Sequence, residues 1–255
     1  MRTRLLALLA AAALAVLAVP SPAHANHSWN GYHWARTANP FTVQLGDNVT
    51  STWDAHLATA SSDWSKSTVL DTTVAAGGAG NPRPCKATAG RVEVCNTTYG
   101  NTGWLGVASI SVTGGVHITK GTVKLNDTYF NTAKYNTSAW RQLVVCQEVG
   151  HTFGLDHQDE NFTNPNLGTC MDYTNDPSTN QHPNKHDYDE LVTIYSHLDS
   201  FSTVGQSVRS HRSPATDSPA SWGTRVRGSA SRGVSTYVRD LGHGEMIVSF
   251  VIWAS

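Results

Sequence analysis

The sequence predicts an α+β fold built on a mostly one-sided sheet. Three observations lead there. Short apolar runs, alternating or continuous, recur at 41–45, 67–74, 91–95, 104–112 and 116–125 with the lengths of strands. Two longer stretches, 52–64 and 139–152, repeat their apolar residues with helical period instead. The order is strand, helix, several strands, helix, so strands and helices do not alternate as they would in a doubly wound parallel sheet.

Taken in order, the chain opens with an export signal over 1–25. Arg2 and Arg4 supply the positive start, Leu5 to Val19 is unbroken apolar sequence, and Ala23-His24-Ala25 is a small-x-small cleavage site. The apolar run is shorter than the roughly 20 residues a membrane span needs. Residues 26–200 read as the main domain. Its first stretch is rich in aromatic residues and histidine (His27, Trp29, Tyr32, His33, Trp34) and reads as a strap packed on the body, with a cleft lining as the alternative. Asp47 or Ser51 is placed to cap the helix over 52–64, whose inner side carries Trp53, Leu57 and Trp64. A Gly/Pro loop fills 75–84, and Gly114-Gly115 separates the strands at 104–112 and 116–125. Ser138 is expected to cap the helix over 139–152, with Trp140, Leu143 and Val144 buried. A long loop follows to residue 183, then a last helix from about His186 to Leu198. Residues 201–233 read as a polar linker, and 234–255 as a β-hairpin turning at Gly242-His243-Gly244, a C-terminal extension of the domain.

A net charge of −1 gives no global attraction to nucleic acid or to an anionic membrane. The four cysteines, Cys85, Cys95, Cys146 and Cys170, are an even count in an exported chain and suggest two disulfides. Of the three pairings, Cys85–Cys95 and Cys146–Cys170 are favoured, with a free or metal-bound Cys146 as the alternative. The second bridge would fix the helix at Gln147 against the loop at Met171.

The chemistry concentrates in Gln147-Glu148-Val149-Gly150-His151-Thr152-Phe153-Gly154-Leu155-Asp156-His157. It matches the zinc-protease pattern H-E-x-x-H-x-x-G-x-x-H at every fixed position except the first, where Gln147 stands for His. Residues four apart share a helix face, so Gln147 and His151 project together while Glu148 swings aside. Gly154 can leave helical dihedrals at little cost, letting the chain turn and bring His157 in from the side. Three protein ligands and a water would make an open catalytic zinc site, with Glu148 as general base.

On this motif, and on the Cys170-Met171-Asp172-Tyr173 stretch beyond it, the chain resembles the metzincins, the clan that includes the matrixins and astacins. The resemblance covers about 40–200. It implies a twisted sheet with two long helices over an irregular lower lobe, and a substrate peptide that pairs with the sheet's edge strand, here within 104–112. It also implies a methionine, Met171, beneath the metal, and a tyrosine, Tyr173, near the zinc where it steadies the tetrahedral intermediate; a Tyr173 that simply packs under the turn is the alternative.

Gln147 leaves the metal open to three outcomes. Its amide oxygen ligates as a weak donor, another group (Asp156, Cys146, His182 or His186) substitutes, or zinc is not held. Asp156, Asp159, Glu160, Asp172 and Asp176 could hold structural Ca2+ or simply form a solvated loop surface. The expected protein is a secreted monomeric zinc endopeptidase acting on a peptide or protein; the alternative is a non-catalytic module that binds through the same cleft. About fifteen residues between the cleavage site and the first strand leave no room for a folded inhibitory segment ahead of the domain.

Overall fold

The computed structural model describes residues 26–206 and 218–254; the expected export signal, and 207–217 of the expected linker, lie outside them. In chain order the elements are β1 (His33–Trp34), β2 (Phe41–Asn48), α1 (Ser51–Trp64), β3 (Leu70–Ala76), β4 (Val92–Thr97), β5 (Trp104–Thr113) and β6 (His117–Asn126). Then come α2 (Asp127–Phe130), α3 (Ser138–His151), α4 (Lys185–Ile194), β7 (Thr224–Ser229), β8 (Val234–Gly242) and β9 (Glu245–Trp253). The described residues form one nine-stranded sheet in the order β3-β2-β4-β6-β5-β9-β8-β7, with β1 beside the start of β6. β3, β2, β4 and β6 are parallel, and β5, β9, β8 and β7 follow antiparallel. Among these residues no helix is long and apolar enough to cross a membrane.

The two long helices share one face of the sheet. Trp53, Leu57 and Trp64 of α1 and Leu143, Val144 and Val149 of α3 join Val43, Leu45, Val94, Ile110 and Leu125 in a single apolar cluster. Each large side chain buried there contributes about 1.5–3 kcal/mol. Both expected disulfides are present, Cys85–Cys95 and Cys146–Cys170. The second joins α3 to the long loop, and the Trp64 indole donates to the Cys146 carbonyl (3.1 Å), so α1 braces the same point. The N-terminal strap packs on the body: Tyr32, His33 and Trp34 are buried, and the Trp34 indole donates to the Thr152 carbonyl (2.9 Å).

Several expectations need correction. Neither Asp47 nor Ser51 caps α1; Thr50 holds the capping position without a side-chain bond, because Asp47 is still in β2 and its carboxylate accepts from Val49 N–H. Thr137 rather than Ser138 caps α3, its hydroxyl accepting from Trp140 N–H (3.2 Å). The last helix ends at Ile194, four residues short of Leu198, and starts with an Asn184/Asp187 capping box. Residues 224–229, read as linker, are a strand.

The largest correction concerns the C-terminal hairpin. The hairpin joins the domain's own sheet, β9 pairing with β5 from Trp104↔Trp253 to Val112↔Met246. The strand expected to be the free edge is therefore internal. The sheet is also two-sided at this end, where Tyr99, Trp104, Val107, Trp222, Tyr237 and Val251 form a second apolar cluster.

Candidate metal centre

α3 is buried along its whole C-terminal half, which forces every polar side chain there to find a partner. The Gln147 amide nitrogen donates to the Cys170 carbonyl (2.9 Å), and its Oε1 has no partner. A carbonyl can only accept, so this contact fixes which end of the amide is which. The oxygen, the end able to ligate, is the one left free. Glu148 lies against β5: Ala108 N–H donates to its carboxyl, Oε2 has no partner, and a Cβ at Gly106 would come within 2.6 Å of Oε1. Gly106 is thus needed for the close approach of this carboxyl.

His151 Nδ1 donates to the Leu155 carbonyl (2.8 Å), which leaves Nε2 as a lone-pair acceptor. Gly154 makes the turn between them with φ +92°, and a Cβ there would run into the Tyr32 carbonyl. The turn brings His157 in so that its Nε2 lies 2.9 Å from His151 Nε2. His157 Nδ1 meets the Tyr173 hydroxyl at 2.7 Å. One assignment consistent with the contacts has Tyr173 donating to His157 Nδ1, His157 Nε2 to His151 Nε2, and His151 Nδ1 to Leu155, with His157 Nδ1 also 3.3 Å from Asp156 Oδ1. A cation taking both Nε2 lone pairs would replace the shared proton and turn His157 to its Nδ1–H form, donating to Tyr173. Two convergent imidazole nitrogens and an oriented, unpartnered amide oxygen form a donor set that could hold a divalent ion such as zinc.

Met171 is fully buried beneath α3, where a Cβ on Gly150 would approach its sulfur to 2.8 Å. Tyr173 does not face an open side of the centre. Its hydroxyl is spent on His157 and its ring stacks on Phe162 (5.2 Å), the packed arrangement. The other candidate ligands are engaged elsewhere. Cys146 is in its disulfide, His182 pairs with Asp63 (2.5 Å), His186 stacks on His27 (4.9 Å), and Asp156 pairs with Arg227 while its Oδ1 also lies 3.3 Å from His157 Nδ1. Of the loop carboxylates considered for calcium, Asp156 and Glu160 come together with His157, their ligand atoms within 4.8 Å of one another, but Arg227 bridges the two acids. Asp159 accepts from Asn161 and Asn164, Asp172 from Leu167 and Asn180, Asp176 caps a short turn, and Glu160 pairs with Arg227 (2.8 Å).

Two residues of the centre, Phe250 and Arg227, were not singled out in the sequence. Phe250 of β9 stacks flat on His151, ring centroids 4.4 Å apart and 6° between planes. Arg227 of β7 reaches over Trp29 to Asp156 and Glu160, and Trp29 meets Phe250 edge-on. No local signal marks them, because they arrive from the last strands of the chain. With this cover the centre is closed: Glu148 and His151 are each 1% exposed and the His157 side chain 6%. Burial pushes the Glu148 carboxyl well above its ordinary value and, with His157 adjoining, holds His151 down to about 3, so its imidazole is neutral.

Comparison with known proteins finds several solved structures with some likeness. One is the crystal structure of myroilysin, at 14% identity and a TM-score of 0.35, covering 68% of this chain and 87% of that one. Another is high choriolytic enzyme 1, a hatching enzyme zinc-protease from Oryzias latipes (medaka fish), at 10% identity and a TM-score of 0.35, covering 64% of this chain and 94% of that one. No protein-family model and no curated protein matches the chain.

In metal-free protein, Glu148→Gln should raise the melting temperature at neutral pH. The folded carboxyl titrates above the ordinary 4.5, so its ionisation penalises the fold increasingly as pH rises past that value and not below it. Melting curves of both proteins from about pH 4 to about pH 8 test this. A gain of equal size at the acid end would mean the buried charge is not its source.

Proposed function

We propose that the chain is a secreted zinc metalloendopeptidase of metzincin type, with His151, His157 and Gln147 as metal ligands and Glu148 as general base. The observation carrying this reading is the Gln147 amide. Its nitrogen is tied to Cys170, and its buried oxygen has no partner in a centre where two imidazole Nε2 atoms converge. Export is supported by the sequence of 1–25 and by the two disulfides.

When bound, zinc would polarise the scissile carbonyl and supply a nucleophile near neutral pH. The chain's own residues do the rest. Leu155 holds His151 in the tautomer with Nε2 free, and Tyr173 holds the far nitrogen of His157, orienting both rings. Glu148, fixed at one oxygen by β5, accepts a proton at Oε2 and returns it to the leaving amine.

An extended peptide would gain its backbone hydrogen bonds from the edge of β5, the edge that β9 now occupies. Substrate and hairpin therefore compete for one strand, and cleavage requires β9 to leave. The closed centre also favours a second reading, a non-catalytic module. Zinc-dependent cleavage separates the two.

The direct test is cleavage of a mixed peptide library by zinc-loaded protein, comparing wild type with Glu148→Ala. Cleavage by wild type alone, with both folded, supports the enzyme; no cleavage by either supports the module. Competition for β5 is tested by Ser109→Cys with Ser249→Cys, whose hydroxyls meet across the strands at 2.8 Å. Oxidising this pair should abolish cleavage, and a reductant that leaves wild-type activity intact should restore it. Full activity in the locked form would sink the competition. Gln147→His should tighten zinc binding by roughly 10-fold or more, an imidazole being the better donor. Unchanged affinity would mean that this side chain does not face the metal.

A further inference from the structure

A second group of metal-ligating side chains lies outside this centre. β1 and β6 are parallel and in register, His33 opposite His117 and Trp34 opposite Ile118, so both histidines stand on the same face. His197 and Asp199, just past α4, complete the group. His117 Nε2 lies 3.3 Å from Asp199 Oδ1, His33 Nε2 3.6 Å and His197 Nε2 3.9 Å. His197 Nε2 is 3.2 Å from His33 Nε2. Four donors around one tetrahedral zinc, with bonds of 2.0–2.1 Å, stand about 3.3 Å apart. His33, His117 and Asp199 have their ligand atoms within 4.8 Å of one another, and His197 stands beside two of them, His33 and Asp199.

We propose that His33, His117, His197 and Asp199 form a second, closed zinc site, structural rather than catalytic. The surroundings fix the donors as a metal site requires. His33 Nδ1 donates to the Gly31 carbonyl (2.7 Å), which turns its Nε2 lone pair inward toward the Asp199 oxygen. That lone pair is placed to accept from His197 Nε2–H (3.2 Å) or to ligate a cation. Asp199 is held from behind: its Oδ2 accepts from Arg36 N–H (3.1 Å) and Arg36 Nη1 (3.0 Å), which leaves Oδ1 to face the three rings. Hydrogen bonds from His117 to Asp199 Oδ1 and from His197 to His33 Nε2 can link the group, whereas a single ion engages all four donors at once. Imidazole nitrogen with one carboxylate suits zinc among common divalent ions. The site has no open position once four protein ligands are bound, and the His197 side chain, 52% exposed, offers the way in.

Such an ion would clasp three segments far apart in the sequence: the strap, the start of β6 and the chain after α4. The strap also bonds the turn that delivers His157, through Trp29 N–H to Gly154 (2.8 Å) and Asp156 N–H to the His27 carbonyl (2.6 Å). The clasp therefore anchors one end of a segment whose other end positions the candidate metal centre.

The test is zinc content and melting temperature of the exported chain, stripped by chelator and then equilibrated with limiting zinc. Wild type should bind about two ions, and His157→Ala, which disables the other centre, about one. In that background, zinc should still raise the melting temperature, and adding His197→Ala or His117→Ala should remove both the ion and the rise. His197 is half exposed, so its loss leaves the core intact; far-UV circular dichroism checks this. A His157→Ala protein that binds no zinc, or one whose zinc survives both further substitutions, overturns the second site while leaving the endopeptidase reading untouched. Wild type with about one ion, lost in His197→Ala but kept in His157→Ala, would support this site and count against the other.

Discussion

The structure depends on burying the C-terminal half of α3 with Gln147, Glu148 and His151 still on it. Polar groups in such a place are tolerated only when hydrogen-bonded, and the surrounding elements are arranged to supply the partners. Cys170 serves Gln147, Ala108 serves Glu148, and Leu155 serves His151. The Cys146–Cys170 bridge and the turn at Gly154 place two of those partners. What the shell leaves unpaired is as informative as what it pairs. Gln147 Oε1 and Glu148 Oε2 remain without partners while two imidazole nitrogens face one another. A core selected for stability alone would not keep such a set, which is why it reads as a site.

The same burial has a second source in the C-terminal hairpin. β9 satisfies the backbone of β5 and lays Phe250 on His151, so one strand both completes the sheet and closes the centre. Arg227 adds charge pairing with Asp156 and Glu160 at the rim. The structure supplies a cover from the C-terminal end of the chain.

Much was legible in the sequence where the signal is local. The helix that carries Gln147, Glu148 and His151, the glycine turn and the strands from β2 to β6 follow from patterns within a few residues, whereas the disulfides join cysteines 10 and 24 residues apart and only their pairing was favoured. The errors have physical causes too. Thr137 and Ser138 are adjacent and equally able to cap, so propensity cannot separate them. β7 is polar and mostly exposed, so it lacks the apolar alternation that marks a strand. His33, His117 and Asp199, with His197 beside them, are spread from position 33 to position 199, and no spacing rule joins them.

By itself, the sequence determined which residues could ligate, which could accept a proton and which stretches would be helix or strand. Those properties reside in side-chain chemistry and in the 3.6- and 2-residue periods of the backbone. Only the tertiary structure decided that β9 covers β5, that the Gln147 oxygen rather than its nitrogen is free, and that His33 stands opposite His117. Strand pairing and amide orientation are set by partners distant in the chain, and nothing in a local pattern says which partner will arrive.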